Sequence, residues 1–242
     1  MTEKRKIMSF DWALKTVLRD KANFDVLEGF LSALLKQHVV VEELLESESN
    51  RRRKTGKQNR VDLLVKMASG EHVVIEVQYD LEYNFLRRLL YGVSKLIVEN
   101  LDEGAPYVGV KKVISVSLVH FNIGFHDKDY VYHGITEFRG IHTKNLMVKE
   151  QSEVYQTSGM LDLEKQTPLT FPEYYIIPVK HFNDVIEDDL DEWVYSMKNS
   201  EVPVTFKSQN IDKLRTKLDV LTMEPEERRQ YNNYLLERAS SW

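Results

Sequence analysis

The stretch RVDLLVKMASGEHVVIEVQ, residues 60–78, contains two apolar runs on either side of a short polar turn. Each run carries one carboxylate on an apolar background, Asp62 in the first and Glu76 in the second. Successive side chains of a strand point to opposite faces, so Glu76 and Gln78 share one face of the second run. The segment therefore predicts a β-hairpin that has polar side chains on one face of its second strand.

The length of the turn decides whether the two carboxylates meet. If residues 68–70 form a three-residue loop, Asp62 lies directly opposite Glu76. A two-residue loop instead pairs Asp62 with Val77 and separates the carboxylates onto different faces. Like charges that face each other across strands destabilise a sheet, and a bound cation or exposure to solvent explains why they are tolerated. A metal site and a solvated sheet face are therefore the two interpretations of this pair.

The pattern of apolar residues around the hairpin predicts the element order α-β-β-β-α-β. A first helix can begin at Ser9 or Asp11, and Asn23 can cap a second helix. The second helix has an apolar stripe at helical spacing, formed by Phe24, Leu27, Phe30, Leu31, Leu34 and Leu35. After a β-prone run at 39–41 and the hairpin come a helix over 81–100 and a strand over 112–121. Further strands are predicted at 129–138, 145–149 and 173–179, and further helices at 189–198, 211–221 and 225–239.

In its residues and in the order of these elements, the chain resembles the PD-(D/E)XK nuclease superfamily, in its Rpn-type branch of recombination-promoting nucleases and transposases. Besides the hairpin, the resemblance is carried by FDWALKTVL at 10–18, RRLLYGVSKL at 87–96, KKVISVSLVHF at 111–121 and DEWVYSMKN at 191–199. The resemblance implies an α/β fold with a restriction-endonuclease-like αβββαβ core and a mixed sheet. After this core we expect a C-terminal extension that contains strands and then helices. We expect a nuclease core at 1–125 and an extension packed on it at 126–242.

The resemblance also implies a catalytic site that holds a divalent metal ion. Asp62 and Glu76 match the family's metal ligands, and the carbonyl of Val77 can complete the coordination. Gln78 stands where the superfamily commonly has lysine, and its amide can orient the attacking water or hold a phosphate oxygen. Asp11 matches an acidic residue near the metal, although an acid that favours the helix dipole is the equal alternative. Oxygen ligands of this kind favour Mg²⁺, with Mn²⁺ as the alternative ion.

Two groups of polar side chains are candidates for contact with DNA. On the helix predicted at 81–100, the stripe that contains Arg88, Tyr91 and Lys95 is predicted to lie opposite the core, and the resemblance implies phosphate contacts there. A basic segment just before the hairpin contains Arg51, Arg52, Arg53, Lys57 and Arg60. Neutralisation of phosphates gives affinity that does not depend on the DNA sequence. For both groups the alternative is a solvated polar surface.

The composition limits the remaining function classes. A net charge of −5 argues against a wholly basic nucleic-acid binder, so DNA must be bound by a local patch. The absence of cysteine excludes disulfides, thiolate zinc sites and cysteine nucleophiles. No apolar run reaches the roughly 18 residues of a membrane-spanning helix, so we expect a cytoplasmic protein without a membrane partner.

These observations predict a metal-dependent DNA endonuclease that is associated with transposition or recombination. The alternative from another class is a nuclease-fold module that binds DNA or protein without catalysis. A transposase with an RNase H-like sheet would need a third essential carboxylate far downstream, and the sequence offers no convincing one. Assembly into a homo-oligomer stays open.

Overall fold

A single mixed sheet of six strands lies at the centre of the part of the chain that the computed structural model describes, residues 7–45, 63–79, 83–99, 101, 107–122, 129–146, 171–220 and 223–240. The strands are β1 (Val41–Leu44), β2 (Leu63–Met67), β3 (His72–Gln78), β4 (Val113–Val119), β5 (Tyr132–Gly134) and β6 (Glu173–Pro178). Their order across the sheet is β1-β2-β3-β4-β6-β5. Strands β3, β4 and β6 are parallel, and the other pairs are antiparallel.

The hairpin between β2 and β3 has the three-residue loop. Leu63 pairs with Ile75 and Lys66 pairs with His72, while the Met67 N–H donates to the Glu71 carbonyl at 2.9 Å. Gly70 has a φ of 100°, a conformation that favours glycine and closes the turn. Of the two alternatives, the structure therefore has the register of the three-residue loop from Leu63 onward, and Asp62 itself lies outside the described residues.

The described helices are α1 (Phe10–Lys15), α2 (Phe24–Leu35), α3 (Phe85–Glu99), α4 (Asp189–Asn199), α5 (Ile211–Lys217) and α6 (Pro225–Ser240). Helices and strands from α2 to β4 follow the predicted order α-β-β-β-α-β, which confirms the mixed α/β fold class.

A capping box between Asp188 and Asp191 begins α4. The acidic run at 187–189 is thus accounted for by the start of a helix. No described helix is long and apolar enough to cross a membrane.

The two faces of the sheet are covered differently. One face packs against α1, α2, α4 and α5 in the largest apolar cluster, where Phe30 and Trp193 are fully buried. The other face is covered by α3, which buries Phe85, Leu89, Val93 and Leu96. Alternation along β3 sends Val73 and Ile75 into the first face and Val74 under α3.

Strands from the second half of the chain join the same sheet. Strand β6 lies between β4 and β5, next to the strand that ends the α-β-β-β-α-β series. The strand predicted at 129–138 is shorter, because only Tyr132–Gly134 pairs with β6. Of the strand predicted at 145–149, the structure describes an isolated bridge between Arg139 and Leu146. The division at residue 125 stays a prediction.

Candidate active site

The carboxyl end of β3 carries two polar side chains on the face covered by α3. Glu76 pairs with Ser117 of β4, and Gln78 pairs with Val119. The Glu76 side chain is 15% exposed, so its carboxylate is largely removed from water but still reachable. The predicted placement of Glu76 and Gln78 as neighbours on one face is therefore what the structure has.

Arg88 brings a positive charge to this pair from the first turns of α3. Its Nη2 donates to Gln78 Oε1 at 2.5 Å and lies 3.5 Å from Glu76 Oε2. Phe85 and Leu89 anchor the helix in an apolar cluster on either side of Arg88, which directs the guanidinium over the end of β3. The group compensates the half-buried carboxylate and is a donor of the type that binds phosphate.

A polar gap separates two apolar clusters beneath α3. The first cluster contains Leu64, Val74, Val93, Leu96 and Val113, and the second contains Phe85, Leu89, Val119 and Ile176. Between Val113 and Val119, β4 presents Ser115 and Ser117 to α3, beside Val74 and Glu76 of β3. We call Glu76, Ser115 and Ser117 the polar gap. It interrupts an otherwise apolar interface at the candidate site.

Asp11 reaches β3 from the opposite face. Its side chain is only 1% exposed, and its Oδ1 accepts a hydrogen bond from the Tyr79 hydroxyl at 2.9 Å. The Tyr79 ring stacks on His120 with 4.2 Å between ring centroids, and the His120 N–H donates to the Gln78 carbonyl at 2.8 Å. Asp11 is therefore linked to the residue that follows Gln78. Sequence reasoning gave Tyr79 and His120 no place in the site, and each directly follows a strand of the structure.

The polar stripe on α3 is exposed only in part, although all of it was predicted to lie opposite the core. Arg88 and Lys95 lie beside the core stripe, and their side chains are 20% and 34% exposed. The outward side of the helix instead includes Leu86 and Leu90, each more than half exposed. Lys95 pairs with Glu99 at 3.3 Å. The prediction was wrong for Arg88 and Lys95, because long charged side chains at the edge of a helical stripe can turn toward either neighbouring surface.

Tyr91 is 61% exposed on α3 and is thus accessible to a large partner. Val77 pairs with Leu118, and its side chain packs against the main core, so only its backbone is available to a ligand. The other predicted site residues lie outside the described residues: Asp62, Arg51, Arg52, Arg53, Lys57 and Arg60. Within the described residues, no three His, Asp or Glu side chains are grouped closely enough to hold a metal ion.

A separate polar cluster lies at the other end of the parallel strands. Glu173 accepts from Lys112 at 2.5 Å and bonds with His133 at 3.1 Å. Burial raises the pKa of Glu173, but its interactions with Lys112 and His133 outweigh this and hold the pKa below its usual value. Burial and the nearby Glu173 raise the pKa of Tyr175 to about 12. These contacts fasten β4, β5 and β6 together.

Comparison with known proteins gives one family match. The family model described as PD-(D/E)XK nuclease family transposase matches residues 8–238. No curated protein and no solved structure matches the chain. The match includes α1, the hairpin, α3 and β4, which are the elements that carry the candidate site residues.

Proposed function

The chain belongs to the PD-(D/E)XK nuclease family of transposases, and from this premise we propose that it hydrolyses DNA phosphodiester bonds with a bound divalent metal ion. Nucleases of this superfamily generally use divalent metal ions, and a nuclease family implies DNA as the substrate. The observation that carries the proposal is the cluster at the end of β3. There Glu76 and Gln78 lie side by side, and Arg88 of α3 reaches both.

Glu76, the Val77 carbonyl and Asp62 are proposed to hold Mg²⁺, with Mn²⁺ as the alternative. These donors are all oxygen atoms, which suits a hard cation. Support for Asp62 comes from the described part of β2, where Leu64 lies on the α3 face and Leu63 pairs with Ile75. If the same alternation and register continue by one residue, Asp62 would face Glu76 on the side of the sheet that α3 covers.

The metal ion, when bound, would polarise the phosphate and favour hydroxide over water at neutral pH. Gln78 accepts from Arg88 through Oε1, so its amide N–H groups can donate to the attacking water or to a phosphate oxygen. Arg88 is proposed to bind a non-bridging phosphate oxygen, where negative charge grows as the P–O ester bond breaks. Asp11 is proposed to support the site from the other face of the sheet, through its hydrogen bond with Tyr79, the residue that follows Gln78.

Contacts with the DNA backbone are proposed for Tyr91 and Lys95 on α3 and for the basic segment with Arg51, Arg52, Arg53, Lys57 and Arg60. Backbone contacts of this type position the duplex without reading its sequence. They also account for how a chain with a net charge of −5 binds a polyanion. A role in transposition or recombination, and a homo-oligomeric state, are proposed from the family alone.

A plasmid-nicking assay tests the proposal. Nuclease-free wild-type protein should convert supercoiled plasmid to nicked or linear DNA with Mg²⁺ or Mn²⁺ and should be inactive with EDTA. Glu76→Ala should remove the activity while circular dichroism shows an intact fold. Glu43→Ala is the matched control, because Glu43 is an exposed carboxylate on β1, at the edge of the same sheet, and pairs with Lys66 of β2. Equal cleavage by all three proteins would exclude Glu76 as a catalytic residue.

The contact of Arg88 with Glu76 and Gln78 also supports a second candidate, a nuclease-fold module that binds DNA without cutting it. Arg88 already supplies a positive charge to Glu76 and Gln78, and glutamine stands where the superfamily commonly has lysine. In that case the wild-type protein should shift DNA in a gel without metal, and it should not cut DNA with any metal ion. Cleavage that depends on both metal and Glu76 would exclude this candidate.

A further inference from the structure

We propose that the Ser117 hydroxyl positions the Glu76 carboxylate for metal binding. The inference rests on the proposed function, because it concerns the same metal site. Ser117 of β4 is the register partner of Glu76 in the parallel pair β3 and β4. Register partners on adjacent strands lie about 4.8 Å apart and project their side chains from the same face of the sheet. The hydroxyl and the carboxylate are thus immediate neighbours beneath α3.

The burial of Ser117 makes its hydroxyl informative. The residue is 2% exposed, and its Oγ meets no hydrogen-bond partner within the described part of the chain. Buried polar groups nearly always have a partner, and an exception in a native structure calls for a cause. An apolar side chain would fit the surroundings, because Val113 and Val119 of the same strand face enter the two clusters on either side. A buried serine whose hydroxyl has no partner costs stability.

The carboxylate of Glu76 is the acceptor that can use this hydroxyl. In the present arrangement Arg88 lies 3.5 Å from Glu76 Oε2 and donates to Gln78. A carboxylate that binds a metal through one oxygen keeps lone pairs for a hydrogen bond. Because a serine hydroxyl rotates freely, the Ser117 O–H can turn toward a carboxylate on the neighbouring strand. Donors of this kind fix the orientation of metal ligands and strengthen metal binding.

Two roles of Ser117 predict different results. If Ser117 is only a small residue that fits under α3, removal of its oxygen should leave metal binding unchanged. If it positions Glu76, the metal-free protein should be as stable or more stable without the hydroxyl, and metal affinity should fall. Stability and metal affinity then change in opposite directions. A purely structural serine does not produce that result.

The experiment measures melting temperatures of the full chain during titration with Mn²⁺ and with Mg²⁺, for wild type, Ser117→Ala and Ser115→Ala. Ser115 is the matched control, because it lies on the same strand and face, is 3% exposed and pairs with Val74 instead of Glu76. We expect Ser117→Ala to melt at or above the wild-type temperature without metal and to bind the ion about 10-fold or more weakly. Ser115→Ala should keep the wild-type metal affinity.

A second pair of variants isolates the hydroxyl from side-chain shape. Ser117→Thr and Ser117→Val have nearly the same shape, and only Ser117→Thr retains the hydroxyl. The metal affinity of Ser117→Thr should therefore exceed that of Ser117→Val by the same factor of about 10. Wild-type affinity in both Ser117→Ala and Ser117→Val would overturn the inference and leave the proposed function intact. If the wild-type protein binds neither ion, both fail together.

Discussion

The two faces of β3 and β4 differ in how completely they are apolar. Toward α1 and α2, Ile75 and Val116 are fully buried in one continuous cluster. Toward α3, the same two strands present Glu76 and Ser117, and the apolar contacts divide into two smaller clusters. Residues one position apart on the same strand thus have opposite surroundings.

This difference separates a face that serves the stability of the fold from the face that carries the proposed site. A continuous apolar face removes more surface from water and stabilises the fold. The polar gap weakens the apolar packing beneath α3, because it places two buried hydroxyls and a largely buried carboxylate there. Natural sequences depart from consistent patterning mainly at functional sites. The gap is therefore the best structural sign of where the function lies.

The largest effect should come from truncation on the continuous face. Ile75→Ala removes a fully buried side chain from the main cluster and should lower the free energy of unfolding by about 2–5 kcal/mol. Glu76→Gln, one residue later, keeps the side-chain size on the polar face and should change it by less than about 1 kcal/mol. Urea denaturation of both variants gives the comparison. If Glu76→Gln is as damaging as Ile75→Ala, the polar gap supports the fold and its assignment to function is wrong.

The next effect concerns the contact between Gln78 and Arg88. Gln78→Lys replaces the acceptor of the 2.5 Å hydrogen bond with a second cation, and this should cost about 1–2 kcal/mol of stability. The loss should disappear when Arg88 is already replaced by glutamine, because the repulsion is then absent. A double-mutant cycle measured by thermal melts provides the coupling. An additive result would mean that the two side chains do not interact in solution.

A third, smaller effect is a pH dependence at the other end of the α3 face. Burial lowers the pKa of His72, and the charges of Lys66 and Lys111 lower it further, with Glu43 opposing them. The unfolded chain then binds the proton more readily than the folded protein. This contribution to stability is complete above pH 6.5 and is lost as the pH falls from there toward the folded pKa, with a slope of at most about 1.4 kcal/mol per pH unit.

Urea denaturation between pH 7.5 and 5 measures this slope. His72→Gln should lose stability less steeply than wild type on acidification, since the titrating group is gone. His142→Gln is the control, because His142 is an exposed histidine in the turn after β5. An identical pH profile for wild type and His72→Gln would show that His72 is not the group that senses acid.

Local periodicity accounts for the parts of the fold that the sequence predicted. Alternation over 63–67 and 72–78 predicted the two strands, because side chains recur at the spacing of one face, while the length of the turn left the register open. The apolar stripe on α3 was predicted from periodicity in the same way. The placement of Glu76 and Gln78 on one face followed from alternation, whereas Arg88 was selected by resemblance.

The parts that the sequence did not predict depend on contacts between distant segments. No local pattern indicates that β6, more than 50 residues after β4, pairs with it. The link between Asp11 and Tyr79 joins residues 68 positions apart. A serine within the apolar run at 113–119 carries no signal of its own, so Ser117 becomes informative only once its neighbour is known.

The smallest expected effect concerns Lys95, which combines a weak local contact with a proposed contact to DNA. Its ion pair with Glu99 is partly exposed, and with lysine on the N-terminal side it has the less favourable orientation. Lys95→Ala should therefore lower stability by only a few tenths of a kcal/mol. Loss of one phosphate contact should nevertheless flatten the slope of log DNA affinity against log salt concentration by about 0.9.

The control is Lys213→Ala, which changes an exposed lysine next to Asp212 on α5 and should leave the slope unchanged. Because α5 packs on the continuous face and α3 covers the polar gap, equal slopes for the two variants would remove Lys95 from the DNA surface and restrict the proposed contacts on α3 to Arg88 and Tyr91.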